Sequence, residues 1–369
     1  MTEQFEVRRS SGAVRAFVAV WALALAACSS SITPVLGCTA ADGIEPVCDF
    51  RNPEDMVAVP PGDWLLVSQM APAGGRLSGS IAAYQPGTGR IEVLFPVGQF
   101  EDVRDWGDVE CAPPSIEQFA PHGIDIEQRA DGAEELLVVN HGGRESVEYL
   151  RVERSDEGLA LRWRGCVAAP DHAFLNDVVA RRDGGFWATD MMPKNHQLWA
   201  TLTGALFGAD TGKVYRFSPR EGFSVEGGSA MPFPNGIEKG QDENSLYLAS
   251  FLGNEVRRLD LVRHEVTGRA HIERPDNLTW SPDGKLLAAA NTDSLPEMMQ
   301  CREVPVGACG AAFEVVSIDP QSMGQFAILG HRGAPIGGVS VALRVGDVVY
   351  LGSSAGDRIA RWRVTGETP

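Results

Sequence analysis

The stretch QFAPHGIDIEQRADGAEELLVVNHGGRE, residues 118–145, alternates turn and strand signals. Pro121, His122 and Gly123 open a short apolar run, and Ala130, Asp131 and Gly132 supply a polar turn. The run LLVV follows and ends on a turn carrying Asn140 and His141. Short apolar runs bounded by such residues are the grammar of a β-hairpin.

The same grammar recurs. EDMVAVPPGDWLLVSQM begins at Glu54, NDVVARRDGGFWATDMM at Asn176 and NGIEKGQDENSLYLASF at Asn235. DNLTWSPDGKLLAAANT follows from Asp276 and GGVSVALRVGDVVYLGSS from Gly337, making six copies with the His122 one. Anchored at Asp55, His122, Asn176, Asn235, Asp276 and Gly338, they are spaced by 67, 54, 59, 41 and 62 residues. Each unit holds enough chain for a four-stranded antiparallel blade. An uneven period around a fixed core predicts a propeller with variable outer loops rather than a strict solenoid.

If each copy is one blade, the residues opening the hairpins meet at one mouth of a central channel. They are Glu54-Asp55, His122-Gly123, Asn176-Asp177, Asn235-Gly236 and Asp276-Asn277. Carboxylates and amides gathered there form the oxygen set that a hard cation such as Ca²⁺ takes. Asx residues also cap turns, but turn capping alone accounts poorly for oxygen or imidazole groups at five of the six openings.

The motifs NPED (52–55), PHGI (121–124), VVNH (138–141), LNDVVA (175–180), PNGI (234–237) and PDNLTWSPDG (275–284) resemble the paraoxonase/arylesterase lactonases. More broadly, they are similar to the senescence-marker-protein/gluconolactonase propellers, and the likeness runs from about residue 50 to 365. The resemblance implies two calcium ions. A catalytic one would be held by Glu54, Asn176, Asn235, Asp276 and Asn277. A structural one would lie deeper, on Asp55, Asp177 and the carbonyl of Ile124. It also implies His122 as general base with His141 as its partner, and leaves open that Asp276 attacks as a nucleophile.

Residues 1–27 are expected to be a signal peptide. Arg8, Arg9 and Arg15 precede the apolar run Ala16–Ala27, too short for the ~20 residues that span a bilayer. Leu25-Ala26-Ala27-Cys28 resembles a bacterial lipobox, which implies lipidation at Cys28 and an outer-membrane anchor facing the periplasm or exterior. A plain secretory signal is the alternative. Residues 28–47 read as a tether and 48–366 as the propeller. Removing residues 1–27, three arginines against two glutamates, takes the net charge from −17 to −18. That surface disfavours nucleic acid.

Six cysteines remain besides Cys28, an even number that favours disulfides in an exported chain. Cys301 and Cys309 are the one local pair expected, and Cys111 is placed to pin a loop at 99–117. The resembled family joins its first and last strands by a disulfide. No cysteine follows Cys309 here, so closure must rest on strand pairing. That family also tends to carry an Asp-His pair where Met191 and Met192 stand. The apolar stretch Leu198–Phe207 reads equally as a lid over the mouth or as an outer blade loop. Gly352-Ser353-Ser354-Ala355-Gly356 fits G-x-S-x-G, but the alternating DRIARWRV after it predicts a strand where a nucleophile elbow needs a helix.

The expectation is a monomeric all-β six-bladed propeller that hydrolyses lactones and aryl or alkyl esters with calcium. A gluconolactonase-type sugar-lactone hydrolase and a non-catalytic calcium-stabilised binding propeller are the alternatives.

Overall fold

The computed structural model describes residues 32–72, 77–98, 101–194, 198–301, 304 and 306–364. The expected leader and Cys28 lie outside this set. The strands form six sheets arranged as blades of a propeller. Their inner strands are Pro53–Val59, Pro121–Gln128, Leu175–Ala180, Pro234–Lys239, Pro275–Trp280 and Val339–Val345, so five of the sequence anchors fall on the second or third residue of one and Gly338 falls just before the last.

Burial grades outward from the axis. Three of the second strands, Trp64–Gln69, Phe186–Asp190 and Leu286–Asn291, are buried at every position, since a neighbouring blade covers each face. This is why they open on apolar runs such as WLLV and LLAAA. Outermost strands such as Glu265–His271 and Gln325–His331 carry polar, exposed residues. Six hydrophobic clusters fill the six interfaces between neighbouring blades, including the one between the last blade and the first, so the ring is closed. Phe186 lies fully buried between blades two and three, 5.1 Å from the Phe217 ring and 5.8 Å from Phe223. Phe186→Ala is expected to cost about 3–5 kcal/mol, read from the urea unfolding midpoint.

Closure departs from the expected boundaries. Among the described residues only three strands follow Gly338, which would leave the last blade with an open edge. Ile44–Cys48 fills it, pairing antiparallel with Arg358–Arg363 from Ile44↔Trp362 to Cys48↔Arg358. Residues 28–47 are therefore not wholly a tether, and the propeller begins before residue 48. Val35 bridges Ala308, Cys38 is disulfide-bonded to Cys48, and the buried Arg358 donates to the carbonyls of Val35 (3.2 Å) and Gly37. Closure by strand pairing instead of a terminal disulfide is as expected. Cys301 pairs with Cys309, and Cys111 with Cys166. Trp106–Gly107 in the preceding loop adds a fifth, parallel strand to blade two.

The G-x-S-x-G motif is a strand-to-strand turn. Arg358–Arg363 follows it, and the Ser353 hydroxyl donates to the carbonyls of Gly338 (2.8 Å) and Gly337 (3.3 Å). Among the described residues no helix is long and apolar enough to cross a membrane.

Candidate active site

Every inner strand starts with one paired residue and then breaks register. Pro53, Pro121, Leu175, Pro234, Pro275 and Val339 pair with the end of the second strand; pairing resumes at Asp55, Ile124, Val178, Ile237, Leu278 and Val341. The residues passed over are Glu54, His122-Gly123, Asn176-Asp177, Asn235-Gly236, Asp276-Asn277 and Ser340. A β-bulge inserts one unpaired residue and re-aims side chains. Six at equivalent positions turn the chemistry-bearing residues out of the ladders and together at the axis. The glycine after His122 and after Asn235 has a steric cause. A Cβ on Gly123 would lie 2.5 Å from the Asp177 Cα, and one on Gly236 2.5 Å from the Asp276 carbonyl oxygen, both in the next blade.

Contacts across blades show the convergence. His122 Nε2 lies 3.7 Å from Glu54 Oε1 and 3.5 Å from Asn176 Nδ2. Asn277 Nδ2 donates to Glu54 Oε1 at 2.8 Å, and Asn235 is hydrogen-bonded to Asp276. Glu54, Asn176, Asn235 and Asn277 are all at most 5% exposed. Four of their oxygens, Glu54 Oε2 and the Oδ1 atoms of Asn176, Asn235 and Asn277, are buried without a hydrogen-bond partner.

Beneath them, Asp55 accepts from the backbone N–H of Met56 and of Ile124 in the next blade, both at 2.8 Å. Asp177 repeats the pattern one blade on, accepting from Val178 and Ile237 at 2.8 Å each. Asp55, Ile124 and Asp177 line an axial cavity of about 230 Å³ to which all six blades contribute. A carboxylate oxygen that accepts one N–H keeps a second lone pair, so both acids retain acceptor capacity.

Burial dominates the electrostatics. It pushes Glu54 up, with the charges of Asp55 and Asp276 adding to it. Burial likewise raises Asp177, and raises Asp55 and Asp276 each to about 7. Among the described residues no lysine or arginine is paired with any of the four. Ionised carboxylates are costly to bury without a compensating cation. Orphaned amide and carboxylate oxygens with this clustered charge fit a hard divalent cation. No three His, Cys, Asp or Glu side chains form a metal-holding group by themselves among the described residues, because three of the convergent donors are amides.

His122 is driven well below its usual range by burial and by the neighbouring His141. Its Nδ1 is 2.8 Å from His141 Nε2, and His141 Nδ1 is 2.8 Å from Glu145 Oε1. Glu145 was not legible as a site residue. Nor was Ser340, whose hydroxyl holds the Glu54 carbonyl at 2.6 Å, nor Thr189, which bonds the Asn235 carbonyl at 2.6 Å. Aligning the sixth copy on its bulge would have singled out Ser340. Met191 is buried with its sulfur 3.9 Å from Asn176 Nδ2. Phe174 packs 4.8 Å from the His141 ring, and Phe233 lies 5.7 Å from Phe251, which gives this side of the mouth an apolar wall. The helix Leu198–Leu206 follows Asp190, which pairs with Leu175, so it rises from the face of blade three that holds Asn176.

The profile of the family described as Arylesterase matches residues 105–327, more than half the chain. Among solved structures, a gluconolactonase from Xanthomonas campestris is similar at 15% identity, over 91% of this chain and 98% of that one, with a TM-score of 0.50. The PQQ-bound aldose sugar dehydrogenase of Streptomyces coelicolor is similar at 15% identity over 90% and 97%, with a TM-score of 0.50. A Bacteroides thetaiotaomicron protein of unknown function is similar at 10% over 90% and 76%, with a TM-score of 0.52. At such identities the likeness is one of fold, and its spread over a hydrolase and a dehydrogenase means that fold alone does not select the chemistry. A search among curated proteins returns no match. The family profile, which covers more than half of the chain and four of the six bulged openings, places this chain in the arylesterase family.

Proposed function

We propose that the protein is a calcium-dependent hydrolase of lactones and of aryl and alkyl esters, acting as a monomer. The observation that carries this reading is the set of four unpartnered buried oxygens beside His122, an imidazole held well below its usual range by burial and by His141. Family membership supports ester or lactone hydrolysis at the coarser level.

Glu54, Asn176, Asn235, Asp276 and Asn277 would hold the catalytic ion; Asp55, Asp177 and the Ile124 carbonyl would hold a second, structural one. Bound there, calcium supplies a Lewis acid for the substrate carbonyl and charge stabilisation for the developing oxyanion. His122 takes a proton from water through Nε2 as the water oxygen attacks the carbonyl carbon, then returns it to the departing alkoxide or phenoxide. His141 at 2.8 Å spreads the positive charge that His122 gains. Attack by Asp276 is the other route. After a single turnover in ¹⁸O-water, label in the Asp276 carboxylate would establish that route, since direct attack by water labels only the product acid.

The apolar wall of Phe174, Met191, Phe233 and Phe251 favours substrates with apolar substituents over polyhydroxylated sugar lactones. Steady-state hydrolysis of phenyl acetate, δ-valerolactone and glucono-δ-lactone tests this. The first two should turn over faster; no turnover of any would leave only a binding propeller.

The lipobox-like run before Cys28 supports a lipid anchor at the bacterial cell envelope. Cys28→Ser should move the protein from the membrane to the soluble fraction, and an unchanged distribution would remove the anchor.

A further inference from the structure

We infer that Glu145 is a positioning residue that determines which ring nitrogen of His122 faces the reacting carbonyl. The inference rests on the reading of His122 as the base. Neutral imidazole has one donor and one acceptor nitrogen, so a base is useful only if its bare nitrogen points inward. His122 alone does not settle this. With Nδ1 against His141 and Nε2 toward Glu54 and Asn176, either nitrogen can carry the hydrogen.

The contacts of Glu145 remove the ambiguity. Its side chain is buried, with 6% of the residue exposed. Oε1 accepts from the backbone N–H of Leu175 at 2.9 Å and lies 2.8 Å from His141 Nδ1. Oε2 faces the Lys194 ammonium at 3.4 Å. A carboxyl hydrogen on Oε2 would point at a cation, and one on Oε1 would meet an N–H, so both oxygens act as acceptors. His141 Nδ1 must then carry a hydrogen and donate it. In the neutral ring, a hydrogen on His141 Nδ1 leaves Nε2 as acceptor, so His122 Nδ1 donates to it. His122 Nε2 is bare and directed at the cluster. Each step follows from donor and acceptor counting along three contacts.

The loop that carries the carboxylate is held in place. Asn140 Oδ1 accepts from the N–H groups of Gly142 and Ala120, both at 3.0 Å, tying the His141 loop to the residues just before His122. The Glu145 carbonyl accepts from Ala169 at 3.0 Å, and the next side chain back, Arg144, is paired with buried Glu148 at 2.9 Å. Lys194 comes from the loop of blade three in which Met191 and Met192 stand. The negative charge behind the histidines thus comes from blade two.

The test uses the full protein labelled with ¹⁵N-histidine, loaded with calcium, with ring tautomers read from two-bond ¹H–¹⁵N correlations. His122 is assigned by the signal missing in His122→Gln. Native protein should show His122 protonated at Nδ1 and bare at Nε2. Glu145→Gln keeps the size and an acceptor for Leu175, but it no longer forces the direction. The Nε2–H form of His122 should grow, and kcat should fall about 10²-fold or more with KM within about threefold. Glu145→Asp should restore part of the loss. Native His122 protonated at Nε2, or a Glu145→Gln protein with unchanged tautomer and unchanged kcat, would overturn the inference. Full turnover by His122→Gln would remove the base, whereas the native tautomer spectrum still decides the role of Glu145.

Discussion

Replacing His122 with glutamine should lower kcat for phenyl acetate about 10²–10⁴-fold and leave calcium binding in place. Burial and His141 keep this imidazole neutral, so the native side chain can accept a proton, whereas an amide cannot. Glutamine is close in reach and can still meet His141, so the fold should tolerate it. The check is kcat together with the calcium-induced rise in thermal midpoint. Loss of turnover with the thermal response retained supports the base. Native turnover in the variant would make His122 a packing residue.

Glu54→Gln is the second large effect, and it acts on the ion. Glu54 supplies the only carboxylate among the four orphaned oxygens. Its backbone carbonyl is fixed by Ser340 and its Oε1 by Asn277, at 2.6 and 2.8 Å. Removing one negative charge from a buried oxygen site lowers calcium affinity steeply, since ligand charge is a main determinant of affinity in such sites. A loss of about 100-fold or more is expected in calorimetric titration, and turnover should be recoverable only at correspondingly higher calcium. An unchanged affinity would mean that the ion, if bound, sits elsewhere.

Much of this was legible because the propeller repeats its grammar. Second strands covered on both faces are apolar along their middles, so runs such as LLVV and LLAAA mark them. The bulge then places whatever opens the preceding strand at the axis, which is how Glu54, Asn176 and Asn235 come together from distant parts of the chain. The PHG and PNG turns also contain a structural signal, since Gly123 and Gly236 stand where the next blade comes too close for a Cβ.

Other parts depended on tertiary contact. Ile44–Cys48 is five residues long beside an Asp-Gly turn, and only the open edge of the last blade makes it a strand. Cys111 and Cys166 are separated by 55 residues, so spacing could not pair them. Glu145 is an ordinary loop glutamate until His141, Leu175 and Lys194 surround it. Ser340 breaks the Asx pattern of the other openings, and its hydroxyl serves the Glu54 backbone.

The most direct measurement is hydrolysis of phenyl acetate and δ-valerolactone by purified protein before chelation, after calcium chelation and after calcium is restored. The account predicts activity at the start, none after chelation and recovery with calcium. Hydrolysis that continues unchanged in the chelated protein would contradict it.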